Sequence, residues 1–256
     1  ASEVFPGSVE IKGGVSYFLW AKGHEGPCKV TTYANGQIDS TAKRPLLEKG
    51  MNTFIRNNNL ISVIKKIQSH NEDTFDDLVS SNDPFGFDVR EANSYRRIKP
   101  KLKNTAFSNS VEVYFHGWRD NGPGHIKKDE IKKGHSLINK HKLFIPKAWG
   151  TGQPETDWLT PFYGKPGTAS TETYLVVGPF KNKKETENVL SYMDTRFFHA
   201  LVAAKKITQN SMKKIYELVP CQDFSRKWSD EELYKKYKLS SKEINFIENW
   251  IRPEDE

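Results

Sequence analysis

One stretch of the chain combines the residue types that bind polyanions. The segment Tyr95–Lys147 contains thirteen lysines and arginines against four aspartates and glutamates, an excess of +9 that exceeds the +7 of the whole chain. Aromatic side chains are interleaved with this charge at Tyr114, Phe115 and Trp118. Basic groups bind phosphates, arginine also reads guanine bidentately, and aromatic rings stack on bases. The segment therefore predicts a nucleic-acid-binding surface, with a solvated lysine-rich surface as the alternative.

The candidate DNA contacts lie in this segment and in two loops that follow predicted strands. The loop Gly117–His125 is rich in glycine and begins with Trp118 and Arg119, and the loop Ala148–Gly152 carries Trp149. Such loops can enter a groove and place side chains against base edges or phosphates. Each tryptophan could instead pack in the core or at its rim. The predicted DNA-binding residues are Arg96, Arg97, Lys99, Lys101, Trp118, Arg119, Lys127, Lys128, Lys132, Lys133, Lys147 and Trp149.

Two short motifs could instead indicate catalysis. Glu10 and Lys12 match part of the motif of a metal-dependent nuclease, but only Glu3 precedes them as a possible acidic partner. The stretch Asn82-Asp83-Pro84-Phe85 is similar to the loop with which amino-methyltransferases hold a flipped base, yet it lacks the second proline. The first motif is better explained as an ordinary strand and the second as a turn. The sequence thus predicts no catalytic residue and no metal site.

The bulk composition narrows the class of protein. With 36% apolar and 28% charged residues, the chain is typical of a globular protein. No apolar run approaches the roughly 18 residues of a membrane span, and the first residues do not resemble a signal peptide. We therefore expect a cytoplasmic protein without a membrane partner, whose Cys28 and Cys221 are buried, reduced thiols. The start at Ala1, without an initiator methionine, suggests a truncated chain.

Hydrophobic periodicity predicts the elements that position these residues. The pattern predicts a strand at Tyr174–Val177, one long helix over Lys183–Lys206 and a second strand at Ile215–Pro220, with the two strands side by side under the helix. Near the N-terminus, residues 4–33 are predicted to form a strand unit: the apolar residues alternate from Val9 to Leu19 with a bend at Gly13 and Gly14, and Cys28–Tyr33 returns as the second strand of a hairpin. A third strand through Ile38 could follow the turn signal Asn35-Gly36.

The remaining patterns complete an α+β fold. We expect an N-terminal strand unit over residues 1–45, a central α/β domain over 46–228 and a helical segment over 229–256, in which Ser229 and Ser240 cap the helices. The other predicted elements are helices at Asn58–Gln68, Phe75–Val79 and Asp129–Asn139, strands at Val111–Phe115 and Lys142–Pro146, and a loop over Pro84–Asn109.

Several passages resemble bacterial restriction–modification N6-adenine DNA methyltransferases. Phe5-Pro6-Gly7 together with Ile11–Trp20 resembles the last strands of their methyltransferase domain. The passages Pro166–Leu175, Val219–Phe224 and Trp228–Tyr237 resemble their specificity region. The passages taken together, in this order, carry the resemblance. The resemblance implies the C-terminal part of such an enzyme, namely the end of the catalytic domain followed by the target recognition domain.

The resemblance also implies a division of labour between this chain and the rest of the enzyme. In that family S-adenosylmethionine donates the methyl group and the target adenine is flipped out of the duplex. The chain has neither the glycine-rich donor-binding turn nor the full Asn/Asp-Pro-Pro-Tyr/Phe loop, so the resemblance implies no cofactor and no methyl transfer by this part alone. Phe5 stands where some related enzymes pack an aromatic ring on the flipped base, with a core phenylalanine as the alternative.

The expected function is therefore sequence-specific recognition of double-stranded DNA. The missing N-terminal catalytic domain of the parent enzyme is the second expected partner, and whether that enzyme also cleaves DNA stays open. One alternative is a Mg²⁺-dependent nuclease that uses Glu10 and Lys12, which the missing acidic partners disfavour. The other is a protein-interaction module acting through the terminal helices, which the charge distribution disfavours.

Overall fold

The computed structural model describes residues 15–34, 36–87, 89–90, 97–98, 101–150, 157–206 and 208–252. Its strands are β1 (Cys28–Ala34), β2 (Gln37–Arg44), β3 (Val89–Arg90), β4 (Arg97–Ile98), β5 (Ser110–Tyr114), β6 (Gly124–Lys127), β7 (His141–Pro146), β8 (Phe162–Gly164), β9 (Thr168–Ser170) and β10 (Tyr174–Phe180). Its α-helices are α1 (Leu60–Gln68), α2 (Trp118–Asn121), α3 (His135–Ile138), α4 (Lys183–Met193), α5 (Arg196–Lys205), α6 (Asp230–Lys236) and α7 (Ser241–Trp250). Small sheets and several helices confirm the α+β prediction.

The antiparallel sheet β10-β7-β8 lies between two hydrophobic cores. Successive side chains of a strand point to opposite faces of a sheet. On β10, Leu175 and Val177 belong to the first core, whereas Tyr174 and Val176 belong to the second. Two-sided burial explains why these strands read as continuous apolar runs in the sequence.

The first core is helical and the second is built on a sheet. Apolar side chains of α1, α4, α5, α6 and α7 pack together in the first core, so the C-terminal helices share it with the central part of the chain. The second core lies against the sheet β6-β5-β9, in which β5 pairs antiparallel with β6 and parallel with β9. The predicted domain boundaries at residues 45 and 228 stay predictions.

Residues Lys183–Lys206 form two helices instead of the one long helix predicted, because two side chains cap the N-terminus of the second helix. The Thr195 hydroxyl accepts a hydrogen bond from the amide of Phe198. The Asp230 carboxylate of α6 accepts hydrogen bonds from the amides of Arg196 and Phe197, at 3.0 and 2.8 Å. Oxygen acceptors at the first amides of a helix stabilise a helix start, and here they end the continuous helix between Met193 and Arg196.

The predicted strand at Ile215–Pro220 is wrong, and so is its pairing beside β10. Residues Lys213–Tyr216 form a 3-10 turn, and β10 pairs with β7 instead. The following residues run antiparallel to another segment, since Thr74 and Pro220 form an isolated bridge. The apolar side chains of this stretch fill the first core as irregular chain, which has the same sequence pattern as a short buried strand.

The structure confirms several other predicted helices and strands and corrects others. β1, α1, β5 and β7 form where predicted, and both terminal helices begin with a capping box at Ser229 and Ser240. The third strand of the N-terminal region also forms, but β2 extends to Arg44, six residues beyond the predicted end at Ile38. However, β1 pairs with β2, and residues 15–20 form no strand. The predicted helix Asp129–Asn139 is a 3-10 turn followed by α3, because Gly134 has φ +70° between them.

Lys142 is a fully buried lysine next to the second core. Its Nζ donates hydrogen bonds to the carbonyl oxygens of Ile138, Lys140 and Lys165, at 3.1 to 3.3 Å. Burial lowers the pKa of Lys142 from 10.5 to about 7. The unfolded chain therefore keeps this proton to a higher pH than the folded chain, and stability rises with pH between these two values.

We expect Lys142→Met to remove this pH dependence. Between pH 7 and 9 the free energy of unfolding of the unchanged protein should rise relative to that of the variant, by at most about 1.4 kcal/mol per pH unit. Urea denaturation across this range measures the difference, and Lys140→Met at the exposed neighbouring lysine is the matched control. Parallel curves for the unchanged protein and Lys142→Met would contradict the assignment.

Candidate nucleic-acid interface

The outer edge of the sheet β6-β5-β9 is extended by the segment before β5. The backbones of Lys103 and His125 exchange two hydrogen bonds, at 2.9 and 2.8 Å. Leu102 packs directly on Gly124, where a Cβ atom would lie 2.6 Å from the leucine side chain. Because the two segments run antiparallel with Lys103 opposite His125, Lys101 lies opposite Lys127. Residues distant in sequence thus meet at one sheet edge.

Four lysines at this edge form an exposed basic surface, here called the sheet-edge lysines: Lys101, Lys103, Lys127 and Lys128. None forms an ion pair with another residue in the described part of the chain; Lys103 Nζ lies 4.6 Å from the centroid of the Phe107 ring. The antiparallel register brings Lys101 opposite Lys127, and Lys128 follows Lys127 in the chain, so these positive charges reinforce one another's field. This edge therefore attracts anions more strongly than the same lysines would if scattered.

The acidic side chain of β5 does not neutralise this surface. Burial raises the pKa of Glu112, but hydrogen bonds with Tyr114 and Lys165 outweigh that effect and hold the pKa below its usual value. The Tyr114 hydroxyl donates to Glu112 Oε1 at 2.7 Å, and Lys165 Nζ lies 3.0 Å from Oε2. The carboxylate is thus ionised and already paired on the sheet.

Arg119 lies on a cluster of aromatic rings just beyond the end of β5. The aromatic cluster consists of Tyr114, Trp118, Phe144, Phe162 and Tyr174. The guanidinium carbon of Arg119 is 5.2 Å from the Trp118 ring centroid and 5.5 Å from that of Phe162. Both distances are within the range of cation–π attraction. Arg119 is exposed, so the guanidinium is held on its aromatic side while donors can reach a ligand from solvent.

The two predicted tryptophans pack in the protein. Trp118 is half-buried in the aromatic cluster and supports Arg119. Trp149 is 9% exposed, belongs to the first core, and has Lys206 Nζ 4.3 Å from its ring centroid. A ring that is covered in this way cannot stack on a base. Trp149 therefore does not belong to the candidate interface, and the packing alternative describes both residues.

Two further residues predicted to contact DNA, Lys147 and Lys133, instead interact with the turn that contains Asn82 and Asp83. Lys147 Nζ donates to Asn82 Oδ1 at 3.2 Å, and Lys133 Nζ lies 3.6 Å from Asp83 Oδ2, whereas Lys132 is exposed. Phe85 of this turn is fully buried in the second core. The turn predicted here is confirmed, and a buried phenylalanine is not available to hold a flipped base.

The structure brings some of the predicted contacts together and leaves others untested. Lys101, Lys127 and Lys128 meet at one edge, and Trp118 and Arg119 share the aromatic cluster. Arg96, Lys99, Phe5, Glu10 and Lys12 lie outside the described residues, and of Arg97 only the backbone, in β4, is described. Sequence reasoning missed Phe162 and did not single out Lys103, because neither stands in a recognisable motif.

The described residues offer little that would indicate a metal site, a membrane span or a reactive cysteine. Within the described ranges, no three His, Cys, Asp or Glu side chains are close enough together to hold a metal ion. Over the same ranges no helix has the length and apolar character needed to cross a membrane. Cys28 and Cys221 are unpaired and half-buried, and burial raises the pKa of Cys221 to about 12. The apolar residues of α6 and α7 are used in the first core, with Leu233 and Ile247 fully buried.

Comparisons with known proteins add no assignment. No protein-family model matches the chain, and no curated protein shows significant similarity to it.

Proposed function

We propose that this chain binds double-stranded DNA in a sequence-specific manner, as the target recognition part of an N6-adenine DNA methyltransferase. The observation that carries the DNA proposal is the combination of four exposed lysines, which form no ion pair within the described ranges, with an arginine held on aromatic rings beyond the end of β5. The methyltransferase context is supported by the resemblance of the passages in the sequence. In this proposal S-adenosylmethionine and the transfer chemistry belong to the catalytic domain of the parent enzyme.

The two groups of side chains have different tasks in this proposal. The sheet-edge lysines are flexible point charges that bind phosphates and release counterions, so they supply salt-dependent affinity without sequence preference. Arg119 has a planar fork of donors that matches the major-groove edge of guanine. β5 pairs with β6, and Arg119 follows β5 in α2, so neighbouring elements carry the proposed phosphate contacts and the proposed base contact.

Replacing Arg119 by alanine tests the base-reading step. We expect Arg119→Ala to weaken binding by about 1–3 kcal/mol on the preferred sequence and much less on a scrambled duplex, because a bidentate base contact is lost. Fluorescence anisotropy titrations with both duplexes measure the two affinities. An equal loss on both sequences would show that Arg119 is a phosphate contact.

A second stacked arginine provides the matched control. The guanidinium carbon of Arg226 lies 3.7 Å from the Trp228 ring centroid, and this exposed residue pairs with Glu232 next to the first core. Arg226→Ala removes the same charge and the same type of cation–π contact away from the sheet. We expect it to leave the affinities for both duplexes nearly unchanged.

The proposed second partner, the catalytic domain, would bind the exposed apolar side chains between Val15 and Leu47, here called the N-terminal apolar strip. Of the ten large apolar side chains that are exposed among the described residues, nine lie between Val15 and Leu47. Tyr17, Phe18, Leu19 and Trp20 are 73% to 95% exposed. A concentration of exposed apolar side chains in one segment is typical of interaction sites, and the β1–β2 hairpin in this segment has only two strands, whereas stable sheets have more. Both features favour a surface that another domain covers.

Polar substitutions in the strip test this partner. We expect Phe18→Ser/Trp20→Ser to change the free energy of unfolding of this chain by no more than about 0.5 kcal/mol, since both side chains are exposed. The same variant should lose association with the parent methyltransferase domain supplied as a separate chain, measured by analytical ultracentrifugation. Met212→Ser, outside the strip, should retain it. Unimpaired association of the double variant would remove the strip from the interface.

A further inference from the structure

We infer that Phe162 is the positioning residue that makes Arg119 a specific rather than a general DNA contact. This inference rests on the proposed function and names the residue on which its specificity depends. Phe162 is the first residue of β8 and is half-buried. It lies in none of the passages that carry the family resemblance.

Phe162 is the central ring of the aromatic cluster. Its centroid lies 5.1 Å from Tyr114, 5.1 Å from Trp118, 5.4 Å from Phe144 and 5.2 Å from Tyr174, so it contacts every other member of the cluster. The contacts with the two tyrosines are edge-to-face, with interplanar angles of 86° and 89°. This is a favourable geometry for aromatic pairs, and it fixes the orientation of the Phe162 ring.

Arg119 is held between rings that belong to different parts of the fold. Trp118 precedes Arg119 in α2, whereas Phe162 approaches the guanidinium from β8, a different element. Phe162 is fixed in the sheet β10-β7-β8, because it is paired with Phe144 in the antiparallel ladder of β7 and β8. The Trp118 and Phe162 rings are inclined by 42°, and the guanidinium carbon of Arg119 lies 5.2 and 5.5 Å from their respective centroids. Phe162 thus links the position of Arg119, which follows β5 in the chain, to the sheet β10-β7-β8.

Holding the guanidinium in this way affects specificity more than affinity. A free arginine side chain loses rotamer freedom when it binds a base edge, whereas a stacked one has already lost part of it. A bidentate contact also needs a defined direction of approach, which a contact with a phosphate does not. Loss of the Phe162 ring should therefore reduce discrimination between sequences while the lysine-dependent binding remains.

The test uses the full chain and two substitutions at one position. Phe162→Leu keeps an apolar side chain but removes the π face, and Phe162→Tyr keeps the ring. Binding to the preferred duplex and to a scrambled duplex gives a selectivity ratio for each variant. Nuclear magnetic resonance relaxation of the Arg119 Nε–Hε group, measured without DNA, reports directly how well the guanidinium is held.

We expect Phe162→Leu to lower the selectivity ratio about fivefold, from the loss of one cation–π contact, and to increase the mobility of Arg119 Nε–Hε. Phe162→Tyr should retain both properties. In the Arg119→Ala background, Phe162→Leu should have no further effect on the ratio, because its role runs through Arg119. Phe144→Leu, which alters a cluster ring that does not contact the guanidinium, is the control for general loosening of the cluster.

Two results would overturn the inference. One is an unchanged mobility of Arg119 in Phe162→Leu, which decides the question even if the chain does not bind DNA. The other is a loss of selectivity that persists in the Arg119→Ala background or that Phe144→Leu reproduces in full, since the role of Phe162 would then be structural. Absence of selectivity in the unchanged protein would instead count against the proposed function, and Arg119 relaxation would still test Phe162.

Discussion

Replacement of the four sheet-edge lysines by glutamine is expected to weaken DNA binding on the order of 100-fold at physiological salt. Each lysine that neutralises a phosphate contributes about 0.9 to the slope of log K against log salt concentration. Removing Lys101, Lys103, Lys127 and Lys128 together should therefore lower the magnitude of that slope by roughly 3 to 4 units. Glutamine keeps much of the length and polarity of the side chain, so the change isolates charge. Titrations between 50 and 200 mM salt measure both quantities.

The matched control changes the net charge equally at another surface. Lys184, Lys227, Lys235 and Lys242 are exposed and lie on or next to the helices of the first core. Replacing these four by glutamine also lowers the formal charge by four, but it should leave most of the affinity and the slope in place. Equal losses in both quadruple variants would mean that only net charge matters, and the sheet edge would then not be a defined interface.

The largest expected loss of stability comes from Asp157→Ala. Lys206 and Asp157 form an ion pair at 2.8 Å whose side chains are only 1% and 2% exposed, and Lys206 Nζ also lies over the Trp149 ring. Removing the carboxylate leaves a buried ammonium without its anionic partner, which is expected to cost about 3–5 kcal/mol of folding free energy. The Asp157 carboxylate also packs against Gly150, where a Cβ atom would lie 2.1 Å from it. Urea denaturation measures the loss.

Two further variants separate the charge effect from simple truncation. Asp157→Leu/Lys206→Met replaces the pair by apolar side chains and should be much less destabilising than Asp157→Ala, because no unpaired charge remains in the core. Asp39→Ala, at an exposed position in β2, should change stability by less than about 0.5 kcal/mol. A small effect of Asp157→Ala would show that water reaches Lys206 and that the pair is not sealed in the core.

Elements with local signals could be predicted from the sequence. The capping boxes at Ser229 and Ser240 join residues three positions apart, and the apolar stripe of α1 repeats within one helix. The break between α4 and α5 is less predictable, because Asp230, more than thirty residues away, accepts hydrogen bonds from the first amides of α5. The irregular chain at Ile215–Pro220 is equally hard to predict from the sequence, because its buried apolar residues give it the composition of a strand.

The candidate site divides in the same way. Charge clustering in Tyr95–Lys147 is a property of composition, so the basic surface could be predicted from the sequence. The meeting of Lys103 with His125 depends on a tertiary backbone bridge, and the support of Arg119 by Phe162 joins elements that are separated by more than forty residues. The burial of Trp149 depends on Lys206, which is more distant still. No local pattern carries these contacts.

The most direct test of DNA recognition is to incubate this chain with a pool of random duplexes at several salt concentrations and to sequence the duplexes that it retains. Our account predicts that one short motif is enriched and that affinity for it falls steeply as salt rises. Salt-sensitive retention without an enriched motif would contradict sequence-specific readout by Arg119. No retention even at low salt would contradict DNA binding altogether.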